Sequence, residues 1–91
     1  MVNTYAVQVA TPDNLLYEGE AQMMVVRTGE GEAAFLAQHA RLVATLEPGQ
    51  IRIVLEDGSE KVADLEGGFV HVHDNQVVVM ASGGRLIEDR P

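Results

Sequence analysis

Apolar and polar residues alternate in short runs along most of this chain. In TYAVQVAT, residues 4–11, an extended backbone puts Tyr5, Val7 and Val9 on one face. In QIRIVLE, residues 50–56, Ile51, Ile53 and Leu55 share a face, with Arg52 and Glu56 opposite. Turn-forming residues separate such runs: Pro12-Asp13-Asn14, Thr28 to Gly31, Pro48-Gly49, Glu56 to Ser59, Gly67-Gly68, Asp74-Asn75 and Gly83-Gly84. The runs flanking Asp57-Gly58 and Asp74-Asn75 read as hairpins, because these residues tolerate the positive φ of tight turns. Many short strands at this spacing predict an all-β sandwich or barrel. MMVV, residues 23–26, and VVVM, residues 77–80, do not alternate. They are apolar on both faces, which predicts that one face is covered by a partner.

Residues 33–46 break the pattern. On a helical wheel Phe35, Leu36, His39, Leu42, Val43 and Leu46 fall on one side, with Gln38, Arg41 and Thr45 on the other. Periodicity alone leaves a helix and a strand–loop–strand equally open.

Length and charge narrow the function. The chain has 91 residues, enough for one small domain with a modest core. It carries six basic and fourteen acidic residues, a net charge of −8. That balance disfavours nucleic acid and anionic lipid, both of which need clustered Lys and Arg. No apolar run approaches the ~20 residues of a spanning helix, and the N-terminus lacks the features of an export signal. With no cysteine, neither disulfides nor thiolate metal sites are available, and a reducing compartment, the cytoplasm, is expected.

Candidate chemistry is sparse. His71 and His73 in FVHVHD share one side of a strand, with Asp74 next, but no third ligand is evident from spacing. They read as polar residues opposite core Val70 and Val72, and no metal is expected. GEGE, residues 29–32, has the glycines of a phosphate cradle, yet its two glutamates and missing lysine oppose phosphate. Neither Ser82 nor Thr11 stands in a nucleophile motif, so no catalytic set is predicted. A lipoyl or biotinyl carrier would present a lysine at a hairpin tip. The chain's one lysine, Lys61, sits past the Asp57-Gly58 turn instead.

The order of the motifs is more specific. GEGEAAFLAQHARLVATLEPGQIRI, then DLEGGFVHV, then QVVVMAS, resembles the epsilon subunit of the F-type ATP synthase. YAVQVATPDNLLYEGEAQMMVV, with its Tyr17-Gly19 pair, fits the same family, so the resemblance runs from about Thr4 to Ser82. The family usually has glycine at Ala34, Pro-Gly at Ala37-Gln38 and proline at Arg41, and the loss of these explains the helical appearance. Helix propensity amounts to a few tenths of a kcal/mol per residue, so strand pairing on both sides should override it. Residues 33–46 are therefore expected as strand, loop and strand.

The resemblance implies a ten-stranded flattened β-barrel or sandwich over residues 1–85. Residues 86–91 would be a short tail where the family's helical hairpin begins. It also implies a non-catalytic rotor subunit joining the gamma subunit to the c-ring, without cofactor, ATP binding or membrane insertion. Its expected location is the cytoplasmic face of the inner membrane, as a peripheral part of the synthase. Carried over by position, Glu30, Gly31 and Glu32 would meet the c-ring, and Thr11 and His39 the gamma subunit. A stand-alone β-sandwich interaction module is the other reading of the same residues.

Overall fold

A computed structural model describes residues 4–28, 31–36 and 41–90. The ten strands are β1 Tyr5–Ala10, β2 Leu15–Ala21, β3 Met23–Thr28, β4 Gly31–Leu36 and β5 Leu42–Leu46, followed by β6 Gly49–Val54, β7 Glu60–Leu65, β8 Gly68–His73, β9 Gln76–Ala81 and β10 Gly84–Arg90. No helix occurs among the described residues. β4 and β5 occupy both ends of the segment with helical periodicity, so the two expected strands are present; the expected loop, residues 37–40, lies outside the described set.

The hydrogen-bonded path runs β10-β7-β6-β3-β5-β8-β9-β1-β2, with β4 on the free side of β3. It forms a two-layered sandwich, not a closed barrel. One layer is β4-β3-β6-β7-β10 and the other β5-β8-β9-β1-β2; they join where Thr28 pairs with Leu46. Strand alternation builds the core between them. Tyr5, Val7 and Val9 from β1 meet Val70 and Val72 from β8, Val77 and Val79 from β9, and Met24, Val26, Ile51 and Ile53 from the opposite layer. These side chains are all at most 3% exposed, and no buried polar or charged residue accompanies them among the described residues.

Two hairpins follow from their turn residues. Asp74 and Asn75 take φ of 50° and 58°, the left-handed pair a two-residue turn requires between β8 and β9. The Asn75 side chain also donates to the Thr4 carbonyl at 3.1 Å, and Ala6 N–H donates to the Asn75 carbonyl at 3.3 Å. The turn thus anchors β1 alongside β9 as a parallel neighbour. Between β6 and β7, Asp57 Oδ1 accepts from Ser59 N–H at 2.9 Å and from Ser59 Oγ at 2.6 Å. Those bonds hold the exposed Asp57 carboxyl below its ordinary range. In β2, the Tyr17 ring covers Gly19, where a Cβ would stand 2.8 Å from the phenol oxygen, and Tyr17 O–H donates to the Glu20 carbonyl at 2.9 Å.

The C-terminal segment departs from the expected tail after residue 85. Gly84–Arg90 pair with β7 as β10, with an irregularity between Leu86 and Glu88. Leu86 packs on the core and Gly84 fits against the Asp64 carbonyl, so the segment covers an edge of β7 that would otherwise leave its ladder groups unpaired.

Burial also sets a pH dependence. Desolvation drives the Tyr5 phenol well above its ordinary value, against a smaller opposing effect of a hydrogen bond with the Met24 backbone. The folded state therefore favours the neutral phenol, whereas the unfolded chain ionises near pH 10.0. Stability from this group is complete below that pH and is lost as pH rises above it. Urea midpoints are expected to decline above about pH 10 in the parent and less steeply in Tyr5→Phe, whose neutral plateau should sit about 1 kcal/mol lower. Parallel declines in the two proteins would exclude Tyr5 as the cause.

Candidate functional site

The strand registers bring the exposed apolar residues of one layer together. On the outer face of β2-β1-β9-β8-β5, Leu15 pairs with Ala10, Ala10 with Met80, Met80 with Phe69 and Phe69 with Thr45. In this row Leu15 is 53% exposed, Met80 52% and Phe69 51%. The next row along the strands places Val78 beside His71 and His71 beside Val43, which is 65% exposed. A third row is polar: Glu20 pairs with Ala6 and Ala6 with Gln76. The face is thus graded, apolar toward one end of the sandwich and polar toward the other. Single exposed apolar residues are ordinary, but a contiguous apolar row across β2, β1, β9 and β8, with Val43 of β5 in the next row, marks a contact surface.

The outer face of the other layer has a different character. There Arg85 pairs with Asp64 and Asp64 with Gln50, while Arg27 pairs with Glu32. Arg52 reaches Glu60 at 3.8 Å. Buried Val54 and Val62 and half-buried Met23 and Val25 share this face with the charged residues, so it is mixed in character and has no open apolar band.

Gly31 and Glu32, two of the residues assigned to the c-ring by resemblance, begin β4 directly after its hairpin with β3. The neighbouring turn between β5 and β6 lies beside them, tied by Glu47 N–H donating to the Arg27 carbonyl at 2.9 Å. An open cavity of about 560 Å³ lies here, lined by Arg27, Gly31, Glu32, Glu47 and Pro48. The pairings Thr28–Leu46, Leu46–Gly68, Gly68–Ala81 and Met80–Ala10 put this hairpin at the apolar end of the face above. Glu30 lies outside the described residues.

Thr11 is at that same end, in the turn between Ala10 and Leu15. Its N–H donates to the Asn14 carbonyl at 2.8 Å, and its hydroxyl accepts from Asn14 N–H at 3.1 Å. Its hydroxyl therefore holds the turn that positions Leu15. His39 lies outside the described residues; the flanking strand ends, Leu36 and Leu42, stand at the other end of the sandwich, where they pair with Met23 and Val72.

His71 and His73 share the outer face of β8 with ring centroids 5.7 Å apart, and His73 Nδ1 is 3.0 Å from Asp74 Oδ2. Among the described residues no group of three or more His, Asp or Glu is arranged to hold a metal. Lys61 lies within β7, opposite Ile53, and not at the tip of the hairpin. Phe69 was not among the candidates, although the alternation carries its signal: Val70 and Val72 point inward, so Phe69 must share the outward side of His71 and His73.

Comparison with known proteins identifies relatives along nearly the whole chain. The family described as ATP synthase, Delta/Epsilon chain, beta-sandwich domain matches residues 4–84. The ATP synthase epsilon chain of Alkalihalophilus pseudofirmus is 42% identical over 85 residues, covering 93% of this chain and 63% of that protein. The epsilon chain of Leptospira interrogans serovar copenhageni is 40% identical over 88 residues, covering 96% and 68%. The chain spans about six-tenths of the length of the curated relatives it matches first. A chain in the Euglena gracilis mitochondrial ATP synthase assembly of OSCP, F1 and c-ring superposes with a TM-score of 0.86 at 26% identity, over 94% of this chain and 56% of that one. A chain of the Tetrahymena thermophila central stalk and c-ring gives 0.72 at 19% identity, over 91% and 66%, a likeness of fold alone.

Proposed function

We infer the function from one premise: this chain belongs to the delta/epsilon-chain family of ATP synthase, whose β-sandwich domain matches residues 4–84. The proposed role is that of a non-catalytic central-stalk subunit. It would link the gamma subunit to the c-ring, so that ion-driven ring rotation turns gamma and is coupled to ATP synthesis. The β-sandwich from Tyr5 to Arg90 would carry this role, at the cytoplasmic face of the inner membrane and without binding ATP.

The observation that carries the reading is the placement of two different surfaces on one body. The exposed row Leu15, Met80 and Phe69 offers an apolar face of the kind found at the centre of protein interfaces. Next to its apolar end, exposed Glu32 at the start of β4 stands beside the β5–β6 turn with Glu47, a charged surface. An apolar face suits a lasting contact with gamma, and a charged surface suits the polar loops of a ring that projects from a membrane. Thr11 borders the first surface, while Glu30 and His39 belong to the proposal by family position alone. The likeness to a chain in an assembly that contains F1 and a c-ring supports the reading.

Glu32→Lys tests it. Glu32 is exposed, so the substitution should leave the unfolding midpoint where it is. Binding of the gamma-bearing complex to purified c-ring is expected to weaken by about fivefold, with gamma retained, as reversal of a rim charge does. Unchanged c-ring binding would remove Glu32 from the contact, and loss of gamma instead would reverse the assignment of the two surfaces.

A further inference from the structure

The apolar band contains one side chain that a small oxidant can convert to a polar one. Among the described methionines, Met24 is 0% exposed, Met23 is half-buried and Met80 is 52% exposed. Met80 stands in the middle of the band, in register with Ala10 on one side and Phe69 on the other. Susceptibility of a thioether follows its exposure, and oxidation turns a flexible apolar side chain into a polar one.

We propose that Met80 is an oxidation site for hydrogen peroxide, and that its sulfoxide closes the apolar face to its protein partner. The consequence rests on the docking role given to that face above. A sulfur lone pair attacks one peroxide oxygen, an S–O bond forms as the O–O bond breaks, and proton transfer releases the second oxygen as water. Sulfur loses two electrons and peroxide gains them. The product carries a strong acceptor whose row neighbours, Ala10 and Phe69, have no side-chain donor. Covering it with an apolar partner surface would desolvate this polar group where its row neighbours offer no compensating bond. The fold itself should be unaffected, because Met80 points away from the core that Val79 and Ala81 help to form. Assembly would shield the sulfur, so the free subunit is the form that is oxidised, and enzymatic reduction of the sulfoxide would restore it.

The test treats the isolated chain with hydrogen peroxide, maps the gain of one oxygen by peptide mass, and measures binding to purified gamma subunit. Met80 is expected to be oxidised well before Met23 and Met24, with the thermal midpoint unchanged. The oxidised parent should bind gamma about tenfold or more weakly than the untreated parent. Met80→Leu has its own untreated affinity, and peroxide should leave that value where it is. Oxidation of Met23 or Met24 as fast as Met80, or gamma binding unaltered in oxidised parent, would overturn the proposal alone. An equal loss of binding on treatment of Met80→Leu would overturn it too. If the untreated parent fails to hold gamma, the docking reading falls, and the consequence proposed for Met80 falls with it.

Discussion

Gly68→Ala is expected to destabilise this domain by about 3 kcal/mol or more. Gly68 opens β8 at φ +143°, a backbone state that L side chains rarely adopt. A Cβ there would run into the Met80 carbonyl oxygen, and it would stand 2.7 Å from Ala81 Cα and 3.0 Å from the Met80 carbonyl carbon. All three are backbone atoms of β9, so no side-chain rotation relieves the overlap; β8 and β9 must separate. Their ladder carries Val70 and Val72 against Val77 and Val79, all in the core. A domain this small has about 5–10 kcal/mol to lose, so the effect approaches unfolding. Gly58→Ala separates the two causes. Gly58 also has positive φ, +90°, but nothing lies within 4 Å of a Cβ there. It should therefore cost only backbone strain, about 1 kcal/mol. Urea unfolding of both variants decides the matter. Equal costs would show that the approach of β9 contributes nothing.

Phe69→Asp is expected to abolish docking while leaving the fold intact. Phe69 is 51% exposed and in register with Met80 and Thr45, so its ring is the largest side chain of the apolar band. Truncating an aromatic anchor at an interface costs about 2–4 kcal/mol, roughly 30- to 1000-fold in affinity. A carboxylate adds a desolvation penalty if the face is still covered. The unfolding midpoint should stay near that of the parent, because the outward side chain contributes little to the core. The measurement is gamma binding by titration alongside thermal unfolding. An affinity within about threefold of the parent would place the partner elsewhere, with the mixed outer face of the β3-β6-β7 layer the next surface to test. Loss of binding together with loss of fold would instead make Phe69 a structural residue.

The strands and several turns of this molecule are properties of local sequence. Alternation placed Tyr5, Val7 and Val9 inside without reference to any other strand, because the side-chain period of a strand is two. Asp74-Asn75 specified a tight hairpin because few other pairs accept left-handed backbone twice in succession. Residues 33–46 sat at the limit of local information: alanines and leucines favour a helix, and only the pairing of β4 with β3 and of β5 with β8 overrides them. The tail after residue 85 passed that limit. Nothing within it announces β10; the open edge of β7 does.

The candidate site divides in the same way. That Phe69 points opposite Val70 and Val72 is a local fact, available from the alternation in FVHVH. That Leu15, Met80 and Phe69 form one band is not, since they come from three strands brought into register by parallel pairing of β1 with β9 and antiparallel pairing of β9 with β8. Thr11 could be named from sequence, but its use of Asn14 to hold the turn beside Leu15 could not. Local chemistry decides what each segment can be, because propensity and φ act over a few residues. Which apolar side is left uncovered depends on pairings between residues far apart in the chain, and only the tertiary structure decides those.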